Sequence, residues 1–490
     1  MFEVKESLSG DDVKEGMRFV FRDGLTTQAM VTLTGGVFLV AFALKLGASN
    51  TVIGLLAAIP PLLTLAQIPS IYIVEKYRVR KAVVVAAAAI SRISLLIMVL
   101  IPFVMPPGKG LIALLLALMI HSGFAAIGGA GWNPWMMDLI PKKSLGTFFS
   151  RRLAYSLTLG IALSIIAGYF IDWWELTRTD APLHGFSILF IFGFIAGIIG
   201  VYFISRIPEP RMRRSGMKMD FFSLLIKPFS NLNFRNLILF TGSWSFAVNL
   251  AAPFFTVYML QRLDFDMSYV IGLMVLSQIF NVGFLQIWGR FTDKYSNKSV
   301  LSVSGPLFMM CILAWTFTTL PEKHSLTIPL LIVIHVFMGI STAGVTIATG
   351  NIGLKLAPEG EATSYLASSS AINSVIAGIA PIIGGGFADY FSKRQLSVTL
   401  NYLSPNREIV LQTLNFQQWD FFFALAFLIG VYSFHRLALV KEEGDVEKGI
   451  VLQELLAEVK RETRNLSTAS GMRNMLFLPV MMMKKTIRKK

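Results

Sequence analysis

The feature that most constrains this chain is an internal repeat that covers almost all of its apolar part. The run Val52-Ile53-Gly54-Leu55, followed by Lys76-Tyr77, returns 218 residues later as Val270-Ile271-Gly272-Leu273, followed by Lys294-Tyr295. Four more residues return at an offset of 217: Pro141, Gly168, Phe170 and Asp172 recur as Pro358, Gly385, Phe387 and Asp389. The offset is almost half of the apolar region, which ends near residue 440. Two tandem copies of one membrane module are typical of secondary transporters, in which the transport route lies between the copies.

The composition places the chain in a membrane. Of its 490 residues, 54% are hydrophobic and 15% are charged, and the mean hydropathy is +0.62. This is too apolar for an ordinary soluble domain. The single cysteine, Cys311, excludes an intrachain disulfide. The net charge of +15 does not indicate a nucleic-acid partner, because the basic residues are spread over short loops and a tail. That distribution is the topological signal of a membrane protein.

The apolar blocks predict twelve membrane-spanning helices, each long enough for a hydrocarbon core that needs about 20 residues. They lie at 24–46, 51–74, 82–104, 110–137, 151–171, 184–206, 236–260, 268–289, 300–320, 327–352, 363–389 and 419–440. The termini and loops of one side carry 35 Lys and Arg residues, and the loops of the other side carry 8. Because basic loops remain in the cytoplasm, we expect both termini to be cytoplasmic in a bacterial-type cytoplasmic membrane.

This pattern divides the chain into five parts. They are a cytoplasmic N-terminal segment (1–23), an N-terminal six-helix bundle (24–206), a cytoplasmic linker (207–235), a C-terminal six-helix bundle (236–440) and a cytoplasmic tail (441–490). The first 23 residues lack the apolar core of a cleaved signal peptide. Apolar residues recur at near-helical spacing in 445–463, which predicts an amphipathic helix. The apolar run Met475–Met483, beside five basic residues, has two open interpretations: contact with anionic lipid headgroups, or a disordered tail.

Two loops at matching positions carry a motif. The loop after span 8 reads Gly289-Arg-Phe-Thr-Asp293-Lys294-Tyr-Ser-Asn-Lys298, and the loop after span 2 runs from Ile71 through Glu75 to Lys81. A helix-end glycine, an acid four residues later and bases after it resemble the signature loop of the major facilitator superfamily. The first copy departs from the pattern, with Ile71 in place of glycine and Glu75 in place of aspartate. The resemblance extends over residues 24–440 through the span count and the repeat.

The resemblance implies an all-α polytopic fold with two pseudo-symmetric six-helix bundles around a central cavity. It also implies that the two loops latch the cytoplasmic ends of the halves together when the carrier is open outward. The acid of each loop would face a helix N-terminus, whose dipole favours negative charge. The implied latch residues are Glu75, Lys76, Arg80, Gly289, Asp293, Lys294 and Lys298. The alternative for the bases is a purely topological role.

In this family spans 1, 4, 7 and 10 line the cavity, so polar and aromatic residues on them are candidates for solute binding. Amides from spans 8 and 11 add to the set. The candidates are Gln28, Thr34, His121, Trp132, Asn133, Trp244, Asn249, Asn281, His335, Asn351 and Asn373. Each can orient a solute by hydrogen bonds in a cavity of low dielectric constant. The alternative is helix–helix hydrogen bonding, which contributes about 0.6 kcal/mol on average.

Arg92 is an intramembrane charge, about ten residues into the predicted span 3. Insertion scales give such an arginine a cost of about 2.5–3.5 kcal/mol. It either holds an anionic solute or coupling carboxylate, or it has a structural role, for example by pairing with Asp138.

Every Asp and Glu of the predicted spans lies near a helix end. Proton coupling would therefore use His121, His335 or an edge acid such as Asp23, unless another ion or no ion is coupled.

The leading hypothesis is a secondary transporter that moves a small organic solute by alternating access. A facilitator without ion coupling and a non-transporting sensor or assembly factor on the same fold are the alternatives. A membrane-embedded enzyme is not expected, because the sequence holds no metal-spaced His/Cys cluster, nucleophile elbow or Walker A motif. The expected partners are a small-molecule solute, the lipid bilayer and, if transport is coupled, a proton or cation. We expect a monomer with no cofactor, metal or nucleic acid.

Overall fold

The computed structural model describes residues 4–6, 8–142, 144–212, 226–319, 323–358, 361–404 and 407–466. Twelve helices in these ranges are long and apolar enough to cross a membrane. Spans 1 to 12 are Gly10–Lys45, Asn50–Tyr77, Arg80–Val104, Gly108–Leu139, Leu145–Thr177, Pro182–Arg206, Leu232–Arg262, Met267–Lys294, Asn297–Phe317, Thr327–Leu356, Tyr365–Phe391 and Trp419–Ala438. The prediction of an all-α polytopic protein with twelve spans is confirmed. The tail run Met475–Met483 and residues 213–225 of the linker lie outside the described residues.

Span 1 begins well before its predicted start at residue 24. Its helix starts at Gly10 because Ser9 and Asp12 form a capping box, in which each side chain accepts from the other residue's backbone N–H. Such a box satisfies two donors that a helix start leaves free. The hydropathy pattern misses this segment, since residues 10–23 are amphipathic rather than apolar. The helix is interrupted at Gly35 and resumes at Gly36, whose φ of +53° suits glycine.

We call the end of the bundle at which residues 10 and 448 lie the termini side, and the opposite end the far side. On the termini side a buried glutamate caps one helix in each half. Glu209 accepts from the backbone N–H of Arg80 at 2.7 Å and of Lys81 at 3.2 Å, at the start of span 3. Glu442 accepts from Asn297 at 3.2 Å and Lys298 at 2.8 Å, at the start of span 9. Positions 80 and 297 are 217 residues apart, which is the offset of the repeat.

The two capping glutamates lie where the chain leaves each bundle, Glu209 at the start of the linker and Glu442 at the start of the tail. Strand β1 (Val4–Lys5) pairs in parallel with β2 (Glu209–Pro210), so the N-terminus and the start of the linker lie together beneath span 3. Beyond Glu442 the chain forms the tail helix, Lys448–Leu466. An amphipathic helix was predicted at 445–463, and a helix is present there.

The far side carries a feature that the sequence analysis did not predict. Within the loop at 390–418, strands β3 (Gln395–Ser404) and β4 (Arg407–Gln417) form an antiparallel hairpin with an irregularity between Val398 and Thr399. Leu396, Val398, Leu400 and Tyr402 alternate with polar residues along β3 and are 45–62% exposed. The period of two that defines a strand is present in the sequence here.

Loss of one glutamate cap tests this account of the fold. Glu442→Gln removes the charge from a buried carboxylate whose two oxygens both accept backbone N–H groups. We expect this change to destabilise the purified protein by roughly 1–3 kcal/mol, measured as a lower midpoint of thermal unfolding in detergent. Glu443→Gln alters the exposed neighbour and serves as the matched control. Equal midpoints for the two variants would contradict the capping role.

Candidate functional site

The two halves meet most closely at the far side, where span 11 packs on span 2. Asp389, near the end of span 11, accepts four hydrogen bonds from the first residues of span 2. Its Oδ1 accepts from the backbone N–H of Asn50 at 3.0 Å and from Asn50 Nδ2 at 2.8 Å. Its Oδ2 accepts from the backbone N–H of Thr51 at 2.8 Å and from Thr51 Oγ1 at 2.6 Å. A carboxylate of one half thus caps a helix of the other.

A second cap crosses the seam in the opposite direction. Asp172, near the end of span 5, accepts the backbone N–H groups of Met267 and Ser268 at 2.9 Å each, at the start of span 8. Asp172 and Asp389 are a pair of the internal repeat, and so are the helix starts at positions 50 and 267. Carboxylates at a helix N-terminus satisfy free donors and complement the helix dipole. We call Asp172, Asp389 and the two helix starts the far-side caps.

Glycines allow the helices to approach at these caps. A side chain at position 385 would place its Cβ 2.3 Å from the backbone oxygen of Asn50, and one at position 54 would meet the oxygen of Pro381 at 2.1 Å. At position 168 a Cβ would lie 2.6 Å from Ile271 Cδ1. Residues 378–386 of span 11 form a Pro/Gly-rich run, with Gly378, Pro381 and three consecutive glycines from Gly384. This run allows close packing on span 2, within a helix that continues from Ala362 to Phe391.

Contact between spans 2 and 11 continues from the far side toward the middle of the bundle. The side chain of Leu62 occupies the space that a side chain at position 378 would need. Thr64 Oγ1 donates a hydrogen bond to Ser374 Oγ at 3.0 Å. Beyond this point span 2 passes through a turn of 3₁₀-helix at Thr64–Ala66 and continues as Gln67–Tyr77. The tight part of the seam is therefore its far-side half.

The structure places the predicted latch residues at the termini-side ends of spans 2, 3, 8 and 9. Among the described residues, neither Glu75 nor Asp293 takes part in an ion pair within 4.0 Å. Gly289 has open space beside it, with only Ile347 4.0 Å from the position of a Cβ. Lys76 lies over the ring of Tyr77. The latch assignment stays a prediction.

Three of the predicted latch cations bind acids of their own half, the linker or the tail, and none binds an acid of the opposite half among the described residues. Arg80 is buried and contacts Asp138 at 2.6 Å as well as Glu209. Lys294 binds Glu454 of the tail helix, and Lys298 binds Asp445 at 2.8 Å. The sequence alone did not reveal these partners, because the acids lie 58 to 160 residues away along the chain.

Several cavity candidates pack inside one half. Trp244 lies among Phe240, Phe308 and Phe434, and His335 packs on Trp315 with its Nδ1 2.8 Å from the oxygen of Leu331. His121 contacts Ser91 of span 3, Trp132 packs on Trp135, and Thr34 donates to the oxygen of Met30 at 2.8 Å. Asn133 and Asn351 are exposed, and Asn281 is half-buried beside Gly339.

Three amides have side-chain partners near the middle of their helices. Gln28 donates to Thr32 Oγ1 at 3.1 Å, and Asn249 donates to the backbone oxygen of Ser245 at 2.8 Å and to its hydroxyl at 3.3 Å. Asn373 of span 11 donates to Thr241 of span 7 at 3.4 Å, while its buried Oδ1 has no partner among the described residues. A buried acceptor without a partner costs free energy, and Asn373 stays a candidate for solute binding.

Arg92 is buried in the N-terminal half, beside an acid that the sequence analysis placed at a helix edge. Its Nη2 donates to Thr27 at 3.4 Å, Thr27 donates to Asp23 at 3.2 Å, and Asp23 binds Arg152 at 3.4 Å. We call Asp23, Thr27, Arg92 and Arg152 the charge cluster. Asp23 is buried thirteen residues into span 1, since that helix begins at Gly10. The proposed partner Asp138 binds Arg80 instead.

Comparisons with known proteins agree with this architecture. The family model described as Major Facilitator Superfamily matches residues 24–381 and 286–442. No curated protein matches the chain. The fold is similar to that of the nucleoside transporter NupG (TM-score 0.62, 14% identity, covering 88% of this chain and 100% of that one).

Two further solved structures share the fold. A D-xylose–proton symporter has a TM-score of 0.64 at 12% identity, covering 89% of this chain and 100% of that one. A bacterial homologue of the iron transporter ferroportin, in an inward-facing state, has a TM-score of 0.61 at 12% identity with the same two coverages. The twelve apolar helices, the half-to-half repeat and the family match over most of the length lead to one conclusion: this chain is a membrane protein of the Major Facilitator Superfamily.

Proposed function

We propose that this protein is a secondary carrier that moves a small organic solute by alternating access, with both termini in the cytoplasm. The excess of basic residues on the termini side supports this orientation. The far side is then external, and the conformation described above is the inward-facing one. No enzymatic reaction and no cofactor belong to this proposal.

The observation that carries the proposal is the pair of far-side caps. Each joins the two halves by at least two charge-assisted hydrogen bonds, which are stronger than neutral ones. Because the caps lie at one end of the seam, rocking of the halves would break both together. The cytoplasmic loops carrying Glu75 and Asp293 would then provide the opposite latch in the outward-facing state. The carrier would exchange one set of contacts for the other.

The solute is proposed to be uncharged or weakly charged. Amide and hydroxyl groups near the helix centres, such as those of Gln28, Asn249, Thr241 and Asn373, offer hydrogen bonds rather than ion pairs. Asn373 Oδ1 would accept a donor from the solute. Arg92 is turned toward Asp23 inside one half, so it is assigned to coupling and not to solute binding.

Coupling is proposed to use the charge cluster. Asp23 is a buried carboxylate that binds Arg152 directly and is connected to Arg92 through the Thr27 hydroxyl. A protonation change there would alter how strongly spans 1, 3 and 5 attract one another. Ionisable groups inside membranes commonly mark ion or proton pathways. A facilitator without coupling remains the alternative.

Replacement of the cap acids tests the alternating-access proposal. Asp389→Asn places an amide N–H₂ against a backbone N–H, because both carboxylate oxygens of Asp389 accept such groups. This change would destabilise the conformation with a closed far side by roughly 1–3 kcal/mol, which lowers the population of the inward-facing state several-fold or more. The double variant with Asp172→Asn would lower that population further. Spin labels attached at Tyr77→Cys and Leu354→Cys, in a Cys311→Ser background, would measure the distance between the termini-side ends of spans 2 and 10. We expect this distance to become shorter.

Asp180→Asn, at an exposed far-side position, is the control for this experiment. An unchanged distance distribution in the double cap variant would contradict the proposal. Absence of solute flux into sealed proteoliposomes, for every member of a broad panel of neutral organic solutes, would favour a non-transporting sensor.

The coupling proposal has a separate test. Asp23→Asn removes the titratable group, so we expect solute accumulation driven by a proton gradient to fall by at least tenfold, while exchange of labelled for unlabelled solute continues. Asp11→Asn changes an exposed acid of the same helix and should leave both activities intact. Equal loss of exchange and accumulation, or no loss of either, would remove Asp23 from the coupling route.

A further inference from the structure

The tail helix is fixed to the C-terminal half along one face. Glu458 binds Arg290 at 2.8 Å, Glu454 binds Lys294 at 2.5 Å, and Tyr295 donates its hydroxyl to the second oxygen of Glu454. The hydrogen bond from Lys294 holds the pKa of Glu454 below its ordinary value. Each exposed pair alone is weak, but three contacts on one helix face define its orientation.

The other face of the tail helix is apolar and only partly covered. Val451 and Leu455 are buried against the bundle, whereas Leu452 is 47% exposed and Leu456 62% exposed. An apolar row of this kind on an otherwise charged helix is typical of a helix at a membrane interface. The part of the chain that the structure describes leaves this row uncovered.

A cavity of about 940 Å³ separates that row from the bundle. Its walls include Val303, Leu307 and Met310 of span 9 and Phe337 of span 10, with Leu452 and Leu456 opposite. Polar side chains line it at three positions, Ser302, Glu447 and Lys448, the last two beside the start of the tail helix. A cavity of this size is at the upper end of what a small-molecule site requires, and its walls offer almost no hydrogen bonds.

The cavity is continuous with the membrane-facing surface. Met310 is 55% exposed and Phe337 41% exposed, on helices that cross the bilayer. Residues 302–310 lie about 8–20 Å from the start of span 9, at a rise of about 1.5 Å per residue. That is the depth of the acyl chains of one leaflet, since the hydrocarbon core is about 30 Å thick.

The sequence after the tail helix favours an anionic headgroup. Glu447 and Lys448 both line the edge of the cavity, and their charges offset each other, whereas residues 467–490, which follow the tail helix in the chain, contain six Lys and Arg residues and no Asp or Glu. Basic segments beside a membrane helix attract anionic lipids. We propose that the cavity between the tail helix and spans 8–10 binds an acyl chain of an anionic phospholipid from the adjoining leaflet.

The amount of phospholipid that stays bound to the purified protein tests this proposal. The full-length protein is purified in mild detergent, exposed to equal amounts of phosphatidylglycerol and phosphatidylcholine, and analysed by native mass spectrometry. We expect one retained phosphatidylglycerol per chain. Leu452→Glu with Leu456→Glu places two charges in the apolar wall, and we expect it to reduce retention at least fivefold.

Gln453→Glu with Ala457→Glu adds the same charge to exposed positions of the same helix, and it should retain the lipid. Unfolding midpoints of both double variants show whether either has lost its fold. Equal retention in the two variants, no retained lipid in the unmodified protein, or a bound mass that is not a phospholipid would overturn the proposal. Equal retention of phosphatidylcholine would overturn its anionic component.

Discussion

The structure depends on one recurring interaction, a carboxylate that caps the first turn of a membrane helix from outside that helix. Asp389, Asp172, Glu209 and Glu442 each accept the backbone N–H groups of the first two residues of a span. Near a bilayer, free N–H groups are costly, and a carboxylate satisfies two at once while complementing the helix dipole. The termini-side caps attach the linker and the tail to one half each, whereas the far-side caps join the halves.

This division between the caps relates the fold to the proposed function. In the proposed alternating-access cycle, a contact within a half would persist while the halves rock, but a contact across the seam would have to break for the far side to open. The tail helix departs from the twofold pattern, because it binds Arg290 and Lys294 of the second half only. The loop at the end of span 8 therefore has a partner in the tail helix that the loop after span 2 does not share among the described residues.

Much of the fold could be predicted from the sequence, and less of the site. Span number and type followed from apolar block length, and the tail helix from its periodicity. The hydropathy pattern does not locate the start of span 1, because residues 10–23 are amphipathic. It does not reveal the far-side hairpin either, because the alternating residues of β3 lie in the connection between spans 11 and 12, outside the apolar blocks. Asp172 and Asp389 recurred in the repeat, yet nothing in their local sequence indicates that each caps a helix more than 90 residues away.

The sequence by itself determined that this is a duplicated twelve-span membrane protein, because hydrophobic length and repetition are properties of the chain read in order. Only the tertiary structure decided which charges meet. It paired Arg80 with Asp138, turned Arg92 toward Asp23, and brought Asp389 to the start of span 2. Partner choice depends on distances between helices that are far apart in the chain, and those distances are set by side-chain packing within each half and along the seam.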